Sequence, residues 1–336
     1  MTLALELLEA EIATELPSHL RAFARAYAGN APIPSAPAAL QRRSSLDLAR
    51  RVVDDPRSVG LLRLLVPIAI ESDPTVAGIR STSPSWPAYA ALHAARDAAS
   101  QRMFGRGHVA QLHWLAGTGK PATAPVDWPA ELAGWHAPSS SIPHAFVERA
   151  WRDLADRHGA RGTCRIVAST ARPRAFIVEP GREVIVVIGP LTTPAMRFAA
   201  FHELGHALAA LLSPVALPRM LDEAAASYVA RLLEREGDLD LPWFTPHAAP
   251  ARARRVAIAT ALDACERREC IIAAAAVARP PWALWQDPGA QAAYVVAEQV
   301  ADRWWAELGA APDPGAFGKR LAEDVAQVER AILADR

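Results

Sequence analysis

The sequence predicts an α+β fold, mainly helical, with one small β-sheet. Three observations carry that prediction. Apolar residues recur at three- and four-residue spacing through most of the chain, the period of helices that bury one face. Residues 164–169, 174–178 and 183–188 are short runs with β-branched character, the last two joined by the turn sequence Glu179-Pro180-Gly181-Arg182. Directly after them comes a helical segment, residues 195–212, that carries His202-Glu203-Leu204-Gly205-His206.

The elements follow in order. Residues 1–30 read as a helix with Leu5, Leu8, Ile12 and Leu16 on one side, and the proline-rich stretch 31–37 ends it. Residues 46–53 and 59–71 are helical, and 86–114 form a further helical stretch weakened by Gly105 and Gly107. Gly, Pro and Ser crowd residues 117–143, which read as a connection. A helical N-terminal region, residues 1–140, is therefore set apart from a domain of residues 141–336. In that domain a helix over 146–158 precedes the three strands. After residue 212 a short, proline-broken link, 213–218, leads to a helix over 220–233 that ends near Gly237. A loop runs through Trp243, Pro246 and His247, helices resume over 252–277, Pro280-Pro281 breaks them, and 290–308 and 317–335 are the last helices.

Composition narrows the function classes. Half of the 336 residues are hydrophobic and 36 basic side chains balance 36 acidic ones, a globular composition without an electrostatic case for nucleic acid or an anionic membrane. Three cysteines, Cys164, Cys265 and Cys270, are too few and too odd for a disulfide framework. The acidic, amphipathic start lacks the basic end and apolar core of a signal peptide, and no apolar run of about 20 residues suggests a membrane span. A cytoplasmic location is the expectation. Gly117-Thr118-Gly119-Lys120 suggests a phosphate loop only superficially, because Trp114 stands where the first glycine belongs and Pro121 follows the lysine.

The chemistry concentrates in one helix. Thr193 is a good N-cap and Pro194 suits the first helical position. Side chains four apart share a helix face roughly 6 Å along the axis, so His202 and His206 are spaced to hold one metal ion. Glu203 lies about 100° around the helix, within reach of a water on that ion. Gly205 costs about 1 kcal/mol against alanine in a helix interior and suggests a second backbone passing close by. A catalytic zinc site has three protein ligands and an open position. The proline-broken link folds the next helix back, which turns Glu223 toward the histidine pair, with Asp222 beside it as a competing ligand or a hydrogen-bond partner.

His-Glu-Leu-Gly-His-Ala at 202–207 followed by Leu-Asp-Glu-Ala-Ala-Ala-Ser-Tyr at 221–228 resembles the gluzincin group of zinc metallopeptidases, over about forty residues, 193–234. The resemblance implies a zincin-like catalytic domain, zinc held by His202, His206 and Glu223, and Glu203 as general base. It implies peptides or flexible protein segments as substrates, bound along an edge strand of the sheet. Two positions depart from the group's pattern. Ala224 replaces the usual glycine after the third ligand, and Ser227 replaces an aspartate that in several members bonds a ligand histidine. Candidates for stabilising the oxyanion of amide hydrolysis are Tyr228, His247, Arg255 and Tyr294, the last in a segment faintly similar to a C-terminal helix of thimet-type oligopeptidases. Tyr228, five positions from Glu223, points about 140° away from it, which favours packing. Two alternatives share the same residues: a metal-binding zincin-fold protein without turnover, and a non-haem iron oxygenase with a two-histidine, one-carboxylate set.

Overall fold

The computed structural model describes residues 2–35, 37–51, 59–80, 86–107, 143–235, 288–309 and 313–334. The chain is α+β and mainly helical, with a three-stranded sheet. In order the elements are α1 (Thr2–Ala28), α2 (Ala38–Gln41), α3 (Arg43–Arg51), α4 (Val59–Glu71), α5 (Pro74–Arg80), α6 (Trp86–Phe104), α7 (His144–His158), β1 (Thr163–Ala168), β2 (Arg174–Glu179), β3 (Glu183–Ile188), α8 (Pro194–Leu212), α9 (Arg219–Arg235), α10 (Pro288–Leu308) and α11 (Ala316–Ala334). The sequence expectation for 86–114 runs past the end of α6 at Phe104, where Gly105 takes a positive φ of 71°. The short helices α2 and α5 escape it, because four and seven residues are too few for a period to emerge. The connection at 117–142, including Gly117 to Lys120, the loop around Trp243 and His247, the stretch 252–277 with Arg255, and Cys265 and Cys270 lie outside the described residues.

The sheet has the order β1-β3-β2, with β3 parallel to β1 and antiparallel to β2. The middle strand, Glu-Val-Ile-Val-Val-Ile, is apolar at five consecutive positions because both of its faces are covered. Val184, Val186 and Ile188 face the core built by α7 to α11, while Ile185 and Val187 join Phe176 and Val178 under Ala24 of α1. Ser213 and Pro214 follow α8, and the turn between β2 and β3 is fastened to that helix: the Gly181 amide donates to the Ala210 carbonyl at 2.7 Å, one of the carbonyls a helix end leaves without an internal partner. A separate cluster around Leu62, Leu65, Val66 and Leu92 holds α2 to α6 together, and Leu8 and Ile12 of α1 belong to it. Helix α1 thus contributes to two cores. Among the described residues no helix is long and apolar enough to cross a membrane.

At the C-terminal side, α9 packs on α10, and α11 closes the group. Trp304 is fully buried and its indole N–H donates to Asp324 at 2.7 Å. His158, the last residue of α7, is 3% exposed and meets the Phe317 ring edge-on at 5.8 Å. Neither of its ring nitrogens has a hydrogen-bond partner among the described residues. Burial, with the Arg157 charge beside it, pushes its pKa down from 6.5 to about 4. The sign follows from proton counting. Above pH 6.5 the imidazole is neutral in both folded and unfolded chains; between 6.5 and 4 the unfolded chain binds the proton and the folded one does not. Stability is therefore lost as pH falls through that window, by about 3 kcal/mol from this group. Urea unfolding of His158→Phe should show the variant gaining on the wild type by that order between pH 7 and pH 4; a constant difference would mean that the imidazole titrates alike in both states.

Candidate metal centre

The site is assembled where α8 crosses α9. Thr193 caps α8 by accepting the Met196 amide at 3.2 Å, with Pro194 at the first helical position. The buried face of α8 carries Phe198, Phe201, Leu204, Leu208 and Leu211. His202 and His206 lie inside that buried zone, 5% and 9% exposed. Their rings stand nearly perpendicular with centroids 4.8 Å apart, and Phe198, one turn earlier, stacks on His202 at 6.2 Å. This fixes both imidazole planes by packing.

The crossing is unusually close at Gly205. A Cβ built there would stand 2.5 Å from the Cα of Ala226 and 3.0 and 3.1 Å from the carbonyl oxygens of Ala226 and Ala225. The backbone approach inferred from the sequence is present, and it brings the first turns of α9 over the histidines. Glu223, 5% exposed, reaches His202 Nε2 at 3.2 Å and His206 Nε2 at 3.6 Å with the same oxygen, Oε2. Donors on a tetrahedral zinc with bonds near 2.05 Å are about 3.3 Å apart, so these separations fit a shared ion. His202, Glu203 and His206 also bring one donor atom each within 4.8 Å of one another. Two carboxylates, Glu203 and Glu223, therefore stand within reach of the histidine pair. The structure therefore contains a candidate site for a divalent metal.

Glu203 is half-buried, and its Oε2 accepts the amide N–H of Ala175 on β2 at 2.7 Å. Ala175 stands opposite Val186 in the β2–β3 register, yet its N–H turns outward from the sheet. Burial pushes the Glu203 carboxyl above its ordinary range; His206 and the Ala175 amide pull it down, and Glu223 and Asp222 push it up again. Burial alone would raise Glu223 as well, but the hydrogen bond from His202 and the charges of His206, His202 and Arg219 hold it well below the usual carboxylate range. Burial disfavours a charged His206, but Asp222, Glu223 and Glu203 together raise it to about 10. Three carboxylates thus crowd two imidazoles, an excess of negative charge suited to a cation.

Asp222 stands beside His206, its Oδ1 2.8 Å from Nδ1. That places Asp222 on the Nδ1 side of the ring, away from the Nε2 atoms that Glu223 meets. Ser227 does not turn to the histidines: its hydroxyl donates to Glu298 of α10 at 2.7 Å, and Glu298 also pairs with Arg231. Tyr228 is fully buried, stacked on Phe317 at 5.1 Å and hydrogen-bonded to the Gly309 carbonyl at 3.3 Å, so packing is its role. Tyr294 lies in α10, but the position of its side chain is not described, and His247 lies outside the described residues. Sequence reasoning missed Ala175, whose contribution is a main-chain amide without a residue signature. It also missed Tyr27 and Arg174, whose relation to the site depends on where α1 docks.

No family model and no curated protein sequence matches this chain. One solved structure with similarity is that of a carboxypeptidase from Pyrococcus furiosus, described as apo-Mg, at 12% identity over 86% of this chain and 68% of that one, with a TM-score of 0.34. At that score the two arrangements have too little in common for one to inform the other.

The close crossing makes a definite prediction. Gly205→Ala gains helix propensity of about 1 kcal/mol but forces two backbones apart, and overpacking of this kind costs about 1–3 kcal/mol. With three backbone atoms at or below 3.1 Å from the new Cβ, the strain should dominate, and thermal unfolding should begin at lower temperature than in the wild type. An equal or higher melting temperature would show that the helices separate without cost.

Proposed function

We propose that this chain is a metal-dependent peptidase, with zinc as the metal and His202, His206 and Glu223 as its ligands. The observation that carries the reading is the convergence of one Glu223 oxygen on both imidazole Nε2 atoms, with Glu203 held beside them. Two imidazoles and a carboxylate suit a borderline-soft ion such as zinc. The bound ion would supply Lewis acidity, polarising the scissile carbonyl and easing ionisation of a water.

The protein's own groups do the rest. Glu203 takes a proton from the attacking water and passes it to the leaving nitrogen as the amide bond breaks. The Ala175 amide fixes one carboxylate oxygen, so the other is aimed with little rotational freedom. A carboxyl held above its ordinary range keeps a proton long enough to deliver it, and His206 and Ala175 keep it from being a permanent acid. Asp222 orients the His206 ring through Nδ1, which leaves Nε2 toward Glu223. Among the described residues β2 is an edge strand, whose outward backbone groups beyond the Ala175 amide could meet an extended peptide or a flexible protein segment. Glu203 at hydrogen-bond distance from that edge favours hydrolysis over the iron-oxygenase reading, in which a base beside the first histidine has no task.

Elemental analysis of the purified chain and a peptide-library digest test the reading together. Wild type should carry about one zinc per chain and cleave peptides. Glu203→Gln should keep the metal and lose nearly all turnover, His206→Ala should lose both, and Asp222→Asn should weaken metal affinity about 10- to 100-fold. A metal-loaded wild type that leaves every library peptide intact would reduce the protein to a metal-binding module; iron with oxygen-dependent turnover would replace the hydrolytic reading altogether.

A further inference from the structure

Arg174 opens β2, one residue before the amide that holds Glu203. Its guanidinium carbon lies 5.5 Å from the ring centre of Phe23, 5.7 Å from that of Tyr27 and 5.3 Å from that of Phe176. The rings hold one another: Phe23 and Tyr27 meet Phe176 at 5.3 and 5.6 Å. Tyr27 also donates its hydroxyl to the Arg172 carbonyl at 3.1 Å, which ties α1 to the start of the strand. Three rings thus confine a guanidinium that is exposed to solvent.

Two neighbouring arginines are paired with carboxylates. Arg21 pairs with Glu183 at 2.5 Å, and Arg182 with Glu179 at 2.8 Å. Arg174 has no carboxylate partner among the described residues; its contacts there are the aromatic rings. Ring contacts satisfy the charge but not the N–H donors, and a guanidinium presents those donors in a planar fork that matches a carboxylate. The phenol of Tyr27 is raised by burial, lowered by Arg174 and raised again by Glu203, so the ring stands within electrostatic range of both. An arginine side chain spans roughly 7 Å from its Cα, and an extended peptide advances about 3.3 Å per residue. Arg174 directly precedes the Ala175 amide that holds Glu203, so a group about two residues from a bond placed there passes the start of β2.

We infer that Arg174 is a specificity-determining residue that receives a substrate carboxylate, either a free peptide C-terminus or an acidic side chain, within about two residues of the bond beside Glu203. The inference rests on the peptidase reading for its substrate class, and a binding measurement separates the two. Metal-loaded full-length Glu203→Gln, which should not cleave, is titrated calorimetrically with acetyl-tetra-alanine bearing a free carboxylate, with its C-terminal amide, and with the amide form carrying one internal glutamate. At least one carboxylate-bearing peptide should bind about tenfold to a hundredfold more tightly than the neutral amide, as a charge-assisted forked pair provides. Gain by the first alone identifies a chain end as the ligand; gain by the glutamate peptide identifies a side chain. Adding Arg174→Gln should remove the difference while the neutral peptide binds as before. Arg174→Lys, which keeps the charge over the rings and loses the fork, should retain the fold and most of the melting temperature yet shrink the difference several-fold. Equal binding of charged and neutral peptides, no measurable binding of any, or a preference that survives both substitutions overturns the inference. Absence of cleavage by the wild type would sink the peptidase reading and leave this binding result to stand by itself.

Discussion

The site depends on one close crossing of two helices. Gly205 has no side chain, so α9 lies against α8 with the Ala226 Cα only 2.5 Å from where a Cβ would be. That contact sets how far Glu223 is from His202 and His206, because Glu223 sits only three residues before Ala226 on a rigid helix. Helix propensity argues against glycine in the middle of α8, and its presence there is repaid by tertiary geometry. Good helix formers stand close by, Leu204 directly before it and Ala207 two residues after, and both are fully buried. Around the crossing the residues are small: Ala224, Ala225, Ala226 and Ala230 are all buried, which lets the backbones approach.

The electrostatics follow from that packing. Two imidazoles and three carboxylates gather between the helices, and each carboxylate has different neighbours. Glu223 is held ionised by two histidines and Arg219; Glu203 is pushed toward the neutral form by burial; Asp222 faces the other side of the His206 ring. A folded chain with such an acid-rich pocket must find a compensating positive charge. The raised pKa of His206 gives one answer, a bound proton, and a divalent ion gives the other. A proton and a metal ion are alternatives at an imidazole nitrogen, so the two compete wherever both are offered.

Much of this was legible in the sequence because the signals were local. The bounds of α4 and β3 coincide with those read from apolar periodicity and β-branched runs. His202, Glu203 and His206 share a helix, so their proximity is a consequence of 3.6 residues per turn. Glu223 was legible through the short link after α8, which leaves α9 little freedom except to fold back. Ser227 shows where local reasoning ends. Its position suggested a role beside the histidines, but its partner is Glu298, 71 residues away, and no spacing rule reaches that far. The Ala175 amide was invisible for a different reason: every residue but proline offers one, and only the three-dimensional course of β2 selects this one.

The long reach of α1 joins these levels. Its first turns pack with α2 to α6, and its last turns press Phe23, Ala24 and Tyr27 on the outer face of the sheet. The strand it presses is β2, an edge strand whose register is set by its buried face, Phe176 and Val178. The Arg21–Glu183 pair and the Tyr27 hydroxyl bond hold α1 to the sheet at two places, and Phe176 wedges between them. The N-terminal helix thus packs on the strand whose Ala175 amide holds Glu203, and with the same contacts it surrounds the neighbouring Arg174 guanidinium.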